Sequence, residues 1–556
     1  MHRVTFTPSG RSALVDEGTT IADAAARASE PLRAECGGRG ACGRCLVRIV
    51  EGAVPEYRVL RRHDGHAEVH ACLTPVHGPL TVLPLVDAEL PKLIARDRNA
   101  DVAPIAEWAP WPLALDPLAA ASSPASLGVA IDIGTTTLRL VVIRLADGVI
   151  VGEASSYNPQ IPRGADVISR IIAAEKGFLG ELSASIRSAV RTLIAQALSD
   201  GTHASSSIRA YVVAGNLTMI HLLLGVDPSG IRRVPSEPHA LRFAAVDAAS
   251  LQWPGDEAPV HTLPAAGGWV GGDIVAGIVR SGFSRAADGL TLYVDLGTNG
   301  EIALGGGDFA LACACSAGPA FEGGGIRCGM RADRGAIDGA RVDRDAGTLD
   351  LSVIGGGRAR GVCGSGLIAL AHALFQAGWI DRSARFTDRV PGWLRTSGTG
   401  GEGAVWGVGA PRATELGGVQ GTPPFKKVAL WERDLTSLLR AKAAIFAGIR
   451  SLVASLGGGV RIDRAIVSGN FGRYLNLPAA VGIGLLPDLS LGRYSYVDNG
   501  ALEGAALALL SREFMAEVDS YLSKITYVNL SDLPHYMDEL VGACFFPHTD
   551  PQALCL

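Results

Sequence analysis

The sequence lacks several features that would place it in common protein classes. It has no uninterrupted apolar run near the roughly 20 residues that a membrane-spanning helix needs, and its opening, MHRVTFTPSG, lacks the apolar segment of a signal peptide. It has no basic surplus, because the formal net charge is −5, and this argues against a nucleic-acid-binding protein. Ten cysteines in 556 residues do not suggest a disulfide scaffold. We therefore expect a cytoplasmic protein that binds neither membrane nor nucleic acid.

Apolar residues and glycine are abundant. The hydrophobic fraction of 48% is enough for several cores, and a charged fraction of 19% is too low for a disordered chain. The length predicts about three or four domains. Patterning predicts blocks at 1–85, 86–126 (a Pro-, Ala- and Trp-rich linker or small docking domain), 127–290, 291–515 and 516–556 (a tail). Within the first block we expect strands at Val4–Phe6 and Cys45–Val50, and a helix at Ile21–Ala28 capped by Thr19 or Thr20.

Two short sequence motifs occur twice, in the same order, between the linker and the tail. Gly128–Thr136 reads GVAIDIGTT and Thr291–Asn299 reads TLYVDLGTN, so that each apolar strand runs into Asp-x-Gly-Thr. Later, YVVAGNLT at 211–218 and AIVSGNFG at 465–472 each end a strand in Gly-Asn. Recurrence of the ordered pair predicts two related α/β halves, of which the second carries an insertion of roughly ninety residues.

Four cysteines have the spacing of a metal site. Three form C-x5-C-x2-C in CGGRGACGRC and one follows in HACLTPV: Cys36, Cys42, Cys45 and Cys72. Thiolates on a glycine-rich loop suit a 2Fe-2S cluster, because thiolates stabilise ferric iron and small residues let backbone N–H groups approach the sulfurs. The alternatives are zinc, which usually takes two short C-x2-C pairs, and four buried cysteines without a ligand. The other cysteines are expected to be buried reduced thiols, with a Cys313/Cys315 ligand pair less favoured: Cys313, Cys315, Cys328, Cys363, Cys544 and Cys555.

This segment resembles the β-grasp 2Fe-2S domains of the adrenodoxin and plant ferredoxin class. The resemblance includes the C-G-G-x-G-x-C-G-x-C form of the loop, and the C-x5-C opening is closer to the adrenodoxin spacing than to the plant spacing. It implies one-electron transfer by a cluster that lies near the surface and is held by the four cysteines.

Two loops carry groups that suit phosphate recognition. Asp132-Ile-Gly134-Thr135-Thr136 follows one apolar strand and Asp295-Leu-Gly297-Thr298-Asn299 follows another. Glycine permits a tight hairpin, and threonine hydroxyls and backbone N–H groups can meet phosphate oxygens. A carboxylate at the strand end can hold Mg²⁺ through water. Either loop alone could be a plain β-turn, but the duplicated pair predicts a cleft that holds a nucleoside triphosphate from both sides.

The body from residue 127 resembles the acetate and sugar kinase/Hsp70/actin superfamily. Its motifs fall in order: phosphate 1 at 131–137, connect 1 at 212–225, phosphate 2 at 293–301, adenosine at 466–475 and connect 2 at 500–510. The resemblance implies ATP and Mg²⁺ as cofactors, with Asp132 and Asp295 positioning the metal ion and the water. It assigns phosphate contacts to Gly134, Thr135, Thr136, Gly297, Thr298 and Asn299, and adenosine contacts to Gly469 and Asn470. The predicted fold is therefore multidomain, a β-grasp 2Fe-2S ferredoxin domain joined to a duplicated α/β actin-like ATPase body of RNase H-like type.

The combination resembles one family, the reductive activators of corrinoid-dependent methyltransferases. The segment at 315–337 (CSAGPAFEGGGIRCGMRADRGAI) and the tail ending in FFPHTD fit that family. The resemblance implies ATP-dependent one-electron reduction of an inactive Co(II) corrinoid to Co(I), with ATP needed because the electron moves uphill. The implied partners are a corrinoid-dependent methyltransferase or corrinoid protein and an external electron donor. The resemblance is also compatible with a homodimer.

Two other functions fit the same architecture. One is a small-molecule kinase of the same superfamily with a redox-regulatory cluster, which would transfer phosphate to a metabolite. The other is a non-enzymatic ferredoxin-type electron carrier whose body is an ATP-dependent docking module. In that case Co(II) reduction would survive Asp295→Ala.

Overall fold

The computed structural model describes residues 1–28, 30, 32, 45–85, 116–118, 125–199, 201–286, 289–391, 395–397, 403–408, 428–457, 459–469 and 475–556. The chain divides into two compact units. The first includes the N-terminal domain, Pro110–Gly282 and the later segment Gly500–Ile525; the second includes Phe283–Asn499 and Thr526–Leu556. None of the described helices has both the length and the apolarity that crossing a bilayer requires.

The described helices are α1 (Ile21–Arg27), α2 (Val167–Ala173), α3 (Leu179–Ala197), α4 (Leu217–Leu224), α5 (Gly272–Arg280), α6 (Gly364–Gln376), α7 (Glu432–Ser455), α8 (Leu477–Gly482), α9 (Gly500–Leu510), α10 (Arg512–Leu522) and α11 (Tyr536–Ala543). The described strands up to Gly282 are β1 (His2–Phe6), β2 (Ser12–Val15), β3 (Leu46–Glu51), β4 (Val59–His63), β5 (His66–His70), β6 (Leu80–Pro84), β7 (Leu127–Ile133), β8 (Thr137–Arg144), β9 (Ile150–Tyr157), β10 (Ile208–Gly215), β11 (Val246–Asp247) and β12 (Pro259–Thr262). Those that follow are β13 (Leu290–Leu296), β14 (Gly300–Gly305), β15 (Ala310–Cys315), β16 (Ala336–Asp343), β17 (Thr348–Val353), β18 (Gly361–Val362), β19 (Arg395–Ser397), β20 (Gly403–Val408), β21 (Val428–Trp431), β22 (Ile462–Ser468), β23 (Tyr494–Tyr496) and β24 (Ile525–Tyr527).

The N-terminal domain is a mixed sheet with α1 packed against it. The strand order is β2-β1-β6-β3-β5-β4, in which β1 is parallel to β6 and the other pairs are antiparallel. Alternating burial along β1 places Val4 and Phe6 in a core with Ile21 of α1. The Thr20 hydroxyl caps α1 by accepting a hydrogen bond from the backbone N–H of Asp23 at 3.1 Å. This is the predicted β-grasp arrangement, and the predicted helix and its Thr20 cap are confirmed.

The first α/β half is built on the sheet β11-β12-β10-β7-β8-β9. Strands β7, β10 and β12 run parallel, while β7, β8 and β9 form an antiparallel meander. On one face, Val129 and Ile131 of β7 pack in a core with Ile186 and Val190 of α3. Helix α9 packs on β7, β8 and β10. It approaches so closely that a Cβ on Gly128 would lie 2.6 Å from a methyl carbon of Leu509.

The second half repeats this topology in the sheet β23-β22-β13-β14-β15-β24. Strands β13, β22 and β23 run parallel, and β13, β14 and β15 form the antiparallel meander. The small sheets β17-β16-β18 and β19-β20-β21 lie between β15 and β22 in the chain, where the first half has α2 and α3. The predicted duplication is confirmed, and these sheets account for the larger size of the second half.

Helices α5 and α9 of the first unit cross closely. A Cβ on Gly504 would lie 2.7 Å from the Cβ of Ala276, and Arg280 Nε lies 2.8 Å from Glu503 Oε2 at the same crossing. Because α9 packs on the first sheet, it groups with the first unit together with α10. The predicted block 291–515 places α9 with the second half, whereas α9 packs on the first sheet; the block boundaries themselves stay predictions.

The end of the predicted tail is held on the second half. The buried Lys442 of α7 donates hydrogen bonds through Nζ to the carbonyl oxygens of Phe545 (2.8 Å) and Pro547 (2.6 Å). Burial lowers the pKa of Lys442 to about 7. Arg450 of α7 binds both carboxylate oxygens of Glu539 in α11 at 3.1 and 3.2 Å. Of the predicted 86–126 linker, only 116–118 and 125–126 are described.

Candidate functional site

Two of the four predicted cluster ligands lie side by side in the N-terminal domain. Cys45 immediately precedes β3 and Cys72 lies in the turn after β5. Both cysteines are buried and not joined by a disulfide, and their Sγ atoms are 3.2 Å apart. Two thiols this close without a bond between them form a donor pair that a single iron atom can bind. Cys36 and Cys42 lie outside the described residues.

The strands next to these thiols are joined by a partly buried ion pair. Arg48 of β3 and Glu68 of β5 are register partners, and Arg48 Nη2 lies 2.9 Å from Glu68 Oε1. The Glu68 side chain is only 1% exposed. The backbone N–H of Ala71 also donates to the carbonyl of Cys45 at 2.8 Å. These contacts hold the positions of the two cysteines relative to each other.

The first predicted phosphate loop is the hairpin between β7 and β8. The N–H of Gly134 donates to the carbonyl of Thr137 at 2.9 Å, and a Cβ on Gly134 would lie 2.8 Å from that oxygen. Thr135 is buried, and its hydroxyl accepts a hydrogen bond from Asn216 Nδ2 at 3.1 Å. The carbonyl of Gly134 accepts from Asn158 Nδ2 at 2.9 Å. The loop therefore has a fixed shape and orientation.

A buried arginine lies beneath this hairpin. Arg170 of α2 is fully buried and its Nη2 donates to the carbonyl of Thr135. Its Nε donates to the carbonyl of Gly164 at 2.9 Å, and its Nη1 lies 3.2 Å from Gln160 Oε1 and 3.1 Å from Met219 Sδ. Burial lowers the pKa of Arg170 to about 9, so that the guanidinium remains charged at neutral pH.

The second predicted phosphate loop is the hairpin between β13 and β14. The N–H of Gly297 donates to the carbonyl of Asn299 at 3.1 Å, and Thr298 is buried. Asp295 lies at the end of β13, where the Tyr293 hydroxyl approaches its Oδ2 at 3.5 Å. Burial raises the pKa of Asp295, although hydrogen bonds from the side chains of Ser468 and Tyr293 oppose this effect.

The Gly-Asn signals adjoin the phosphate loops in the same way in both halves. In the first half Gly215 is the register partner of Ile133, and a Cβ on Gly215 would lie 2.9 Å from the Ile133 carbonyl oxygen. In the second half a Cβ on Gly469 would lie 2.5 Å from the Leu296 carbonyl oxygen. Gly469 also has a φ of +104°, which glycine adopts far more easily than other residues. The duplication therefore extends to individual backbone contacts.

The two aspartates have different neighbours across the strands. The register partner of Asp132 on β8 is Arg139, whereas the partner of Asp295 on β14 is Glu301. On the other side, Asp295 pairs with Ser468 of β22. Register partners present their side chains on the same face of a sheet. The duplicated loops are thus chemically different, with a basic partner beside one aspartate and an acidic partner beside the other.

The predicted nucleotide residues fall into two groups. Asp132, Gly134, Thr135 and Thr136 share one hairpin in the first unit. Asp295, Gly297, Thr298, Asn299 and Gly469 come together in the second unit. Asn470 lies outside the described residues.

Sequence reasoning missed the polar side chains that support the first loop: Asn158, Gln160, Arg170 and Asn216. Asn216 belongs to a repeated signal that was recognised, but its contact with Thr135 depends on the fold. Arg170 stands within the apolar stretch VISRIIA, and a charged residue on the buried face of a helix could have been noticed. Asn158 and Gln160 lie in no sequence pattern that would have indicated their role.

The remaining cysteines bear out the prediction of buried reduced thiols only in part. Cys313, Cys315 and Cys363 are buried and free, whereas Cys555 is exposed. Burial raises the pKa of the buried thiols, which keeps them protonated. Within the described ranges, no group of three or more His, Cys, Asp or Glu side chains is arranged to hold a metal ion.

Three family models match successive parts of the chain. The 2Fe-2S iron-sulfur cluster binding domain matches residues 4–77. The RACo middle region matches residues 127–286, and the C-terminal domain of RACo, described as the ASKHA domain, matches residues 289–554. The matches follow the order of the redox domain and the two α/β halves.

Individual proteins show similarity over most of the chain. The chain is 31% identical over 422 residues to the corrinoid activation enzyme RamQ of Eubacterium limosum, which covers 74% of this chain and 69% of the relative. A solved structure of a reductive activator for a corrinoid, iron-sulfur protein is 33% identical, with a TM-score of 0.71 and coverage of 100% of this chain and 99% of the other. An NADPH oxidoreductase of Mycobacterium tuberculosis is 36% identical over 75 residues, or 14% of this chain and 20% of the relative.

Proposed function

The chain belongs to the RACo family of reductive activators of corrinoid proteins, and we propose that it uses ATP to drive the one-electron reduction of an inactive Co(II) corrinoid on a partner protein to Co(I). One observation carries this proposal. A redox domain with paired Cys45 and Cys72 thiols is joined, in a single chain, to a duplicated ATPase-type body. A plain electron carrier would not need the body, and a plain kinase would not need the thiols.

The N-terminal domain accepts and passes on one electron. Cys45 and Cys72, together with Cys36 and Cys42, would hold a 2Fe-2S cluster, which supplies one-electron storage when bound. An external donor gives one electron to the domain, and the domain gives it to Co(II), which becomes Co(I). Each reduction therefore consumes one electron and transfers no atoms.

The α/β body binds and hydrolyses MgATP. The groups that meet the β- and γ-phosphates are the backbone N–H groups and side chains of Gly134, Thr135, Thr136, Gly297, Thr298 and Asn299. Gly469 and Asn470 approach the adenosine, and Gly469 packs so closely on the Leu296 carbonyl that only a glycine fits there. The backbone N–H dipoles of such a loop are already oriented towards the phosphate, so that few protein groups have to be ordered when the nucleotide binds.

The two aspartates take different parts in hydrolysis. Asp132 would hold Mg²⁺ through water, as a strand-end carboxylate can. Asp295 would orient the attacking water and accept its proton. A carboxylate whose pKa is raised by burial is a stronger base than an exposed one, which suits that part.

ATP is required because Co(I) forms only at a potential below that of ordinary ferredoxins. For one electron, about 30 mV corresponds to about 0.7 kcal/mol. If the ATP-bound state binds the Co(I) form of the partner tenfold more tightly than the Co(II) form, the potential of the bound corrinoid rises by about 60 mV, which corresponds to about 1.4 kcal/mol. Nucleotide-dependent binding can thus shift the reduction equilibrium when one nucleotide state discriminates between the two oxidation states of the partner, because equal affinity for both would shift nothing.

The proposal includes the cellular setting. The partner is a corrinoid protein of a methyltransferase system, the electron comes from a separate donor protein, and the reaction takes place in the cytoplasm. A homodimer is compatible with this scheme.

ATP hydrolysis by the purified holoprotein tests the proposal against the kinase alternative. We expect a Co(II) corrinoid protein to stimulate hydrolysis severalfold, and we expect no phosphorylated product with a panel of sugars and carboxylic acids. A phosphorylated acceptor, together with no stimulation by corrinoid proteins, would establish the kinase instead.

A further inference from the structure

We propose that Arg170 is the positioning residue of the first phosphate loop: its guanidinium holds the Thr135 carbonyl, turns the loop's N–H groups towards the phosphates and adds a buried positive charge that a bound triphosphate offsets. The inference rests on the proposed function, since it assumes that this loop binds ATP.

The contacts of Arg170 tie the loop to the body of the first half. The guanidinium donates to the carbonyl of Thr135, and it also donates to the carbonyl of Gly164 at 2.9 Å and lies 3.2 Å from Gln160 Oε1. These acceptors lie in different directions around one rigid plane. Arginine can serve them together because its donors form a fixed planar fork, whereas lysine offers a single point charge.

The peptide geometry of the hairpin then sets the direction of its N–H groups. The carbonyl of Gly134 points to Asn158, and the carbonyl of Thr135 points to Arg170. In a trans peptide the N–H of the following residue points opposite to the carbonyl. The N–H groups of Thr135 and Thr136 are therefore directed away from the buried side chains. This is the direction in which a phosphate would approach the loop.

The charge of Arg170 is not balanced by a directly bonded carboxylate among the described residues. Its hydrogen-bond acceptors are neutral, and the carboxylate that acts on it from a distance, Asp166, accepts a hydrogen bond from the N–H of Ser169 at 2.8 Å. Burial lowers the pKa of Arg170 to about 9, which reflects the cost of removing the cation from water. A nearby anion reduces such a cost, and ATP supplies one at this loop.

Variants of Arg170 test this role against a merely structural one. Arg170→Lys keeps a positive charge without the planar fork, and Arg170→Met removes the charge. Arg187→Met is the matched control, because Arg187 lies in the same half, is partly buried and donates to the carbonyl of Leu223 at 2.8 Å, away from the phosphate loop. Steady-state ATP hydrolysis and equilibrium MgATP binding are measured on the holoproteins, well below every melting temperature.

We expect kcat/KM for ATP to fall at least tenfold in both Arg170 variants, with weaker MgATP binding, whereas Arg187→Met stays within twofold of the wild type. If Arg170→Met does not fold, Arg170→Lys alone decides. Wild-type kcat and KM in Arg170→Lys would overturn the inference and leave the proposed function intact. A wild-type protein that binds no ATP would overturn both.

Discussion

At the scale of single residues, the site depends on side chains that are removed from water. The Cys45 and Cys72 thiols are buried together, and burial raises the pKa of Asp295. In such surroundings an isosteric substitution changes the chemistry while it largely preserves the packing. Serine for cysteine and asparagine for aspartate are therefore informative replacements.

The cluster assignment predicts the outcome of Cys72→Ser. A serine hydroxyl does not readily become the anionic donor that iron requires, and the cluster should be lost or held weakly. The purified variant should lose its red-brown colour and most of its iron. Cys555→Ser, at an exposed free thiol, should keep both. Full iron content and an unchanged visible spectrum in Cys72→Ser would remove Cys72 from the ligand set.

Asp295→Asn should raise stability while it abolishes catalysis. Because the folded-state pKa of Asp295 is raised, the folded protein binds that proton more tightly than the unfolded chain does. The resulting stabilisation is present below the ordinary value of 3.8 and is lost as pH rises through the folded-state pKa. At neutral pH the asparagine variant should thus melt at a higher temperature without nucleotide. Its ATP hydrolysis should fall by about 100-fold or more.

Asp308→Asn provides the control for that variant. Asp308 is exposed in the turn between β14 and β15, in the same sheet as Asp295. Its substitution should change stability by less than about 0.5 kcal/mol and leave hydrolysis unchanged. Wild-type hydrolysis in Asp295→Asn would contradict the assigned role.

At the scale of elements, the body is one strand pattern used twice, with the same contact between a glycine and the end of a neighbouring strand. Gly215, the last residue of β10, packs on Ile133, and Gly469, which follows β22, packs on Leu296. Such contacts let a loop approach the phosphate hairpin, and they leave no room for a side chain.

Gly469→Ala should therefore destabilise the second half by more than the cost of placing an alanine at a positive φ angle. Gly457 has a similar φ of +92°, with open space around its Cβ position, so Gly457→Ala reports the conformational cost of about 1 kcal/mol. Gly469→Ala adds a collision at 2.5 Å with the Leu296 carbonyl oxygen. We expect a clearly lower melting temperature and weaker MgATP binding in Gly469→Ala than in Gly457→Ala. Equal melting temperatures and affinities would show that the close contact has no importance.

Local patterns were enough to predict much of the fold. Alternation in Val4–Phe6, the Thr20 cap and the repeated Asp-x-Gly-Thr followed by Gly-Asn all act over a few residues, and the structure confirms the elements they predict. The support of the first loop was not predictable in this way. Asn158, Arg170 and Asn216 contact Gly134 and Thr135 only after the strands and helices have packed. No local sequence pattern predicts that these three residues come together. Likewise, α9 follows the second half in the chain but packs on the first sheet.

At the scale of the whole molecule, the chain joins electron transfer to nucleotide hydrolysis. The 2Fe-2S domain model matches residues 4–77, and the RACo models cover 127–286 and 289–554. The chemical need for this combination is an electron transfer that is unfavourable without an energy source. Every local role assigned above, from the cysteine pair to the two aspartates, serves that single coupling.

The formation of Co(I) tests this coupling most directly. The reduced holoprotein is mixed without oxygen with a Co(II) corrinoid protein, and the Co(I) absorption band is followed with and without MgATP. The account predicts that the band grows only when ATP is present and that Asp295→Asn abolishes the growth although its N-terminal domain is equally reduced. Growth of the band at the same rate without ATP, or no ATP-dependent growth with any corrinoid protein, would contradict it.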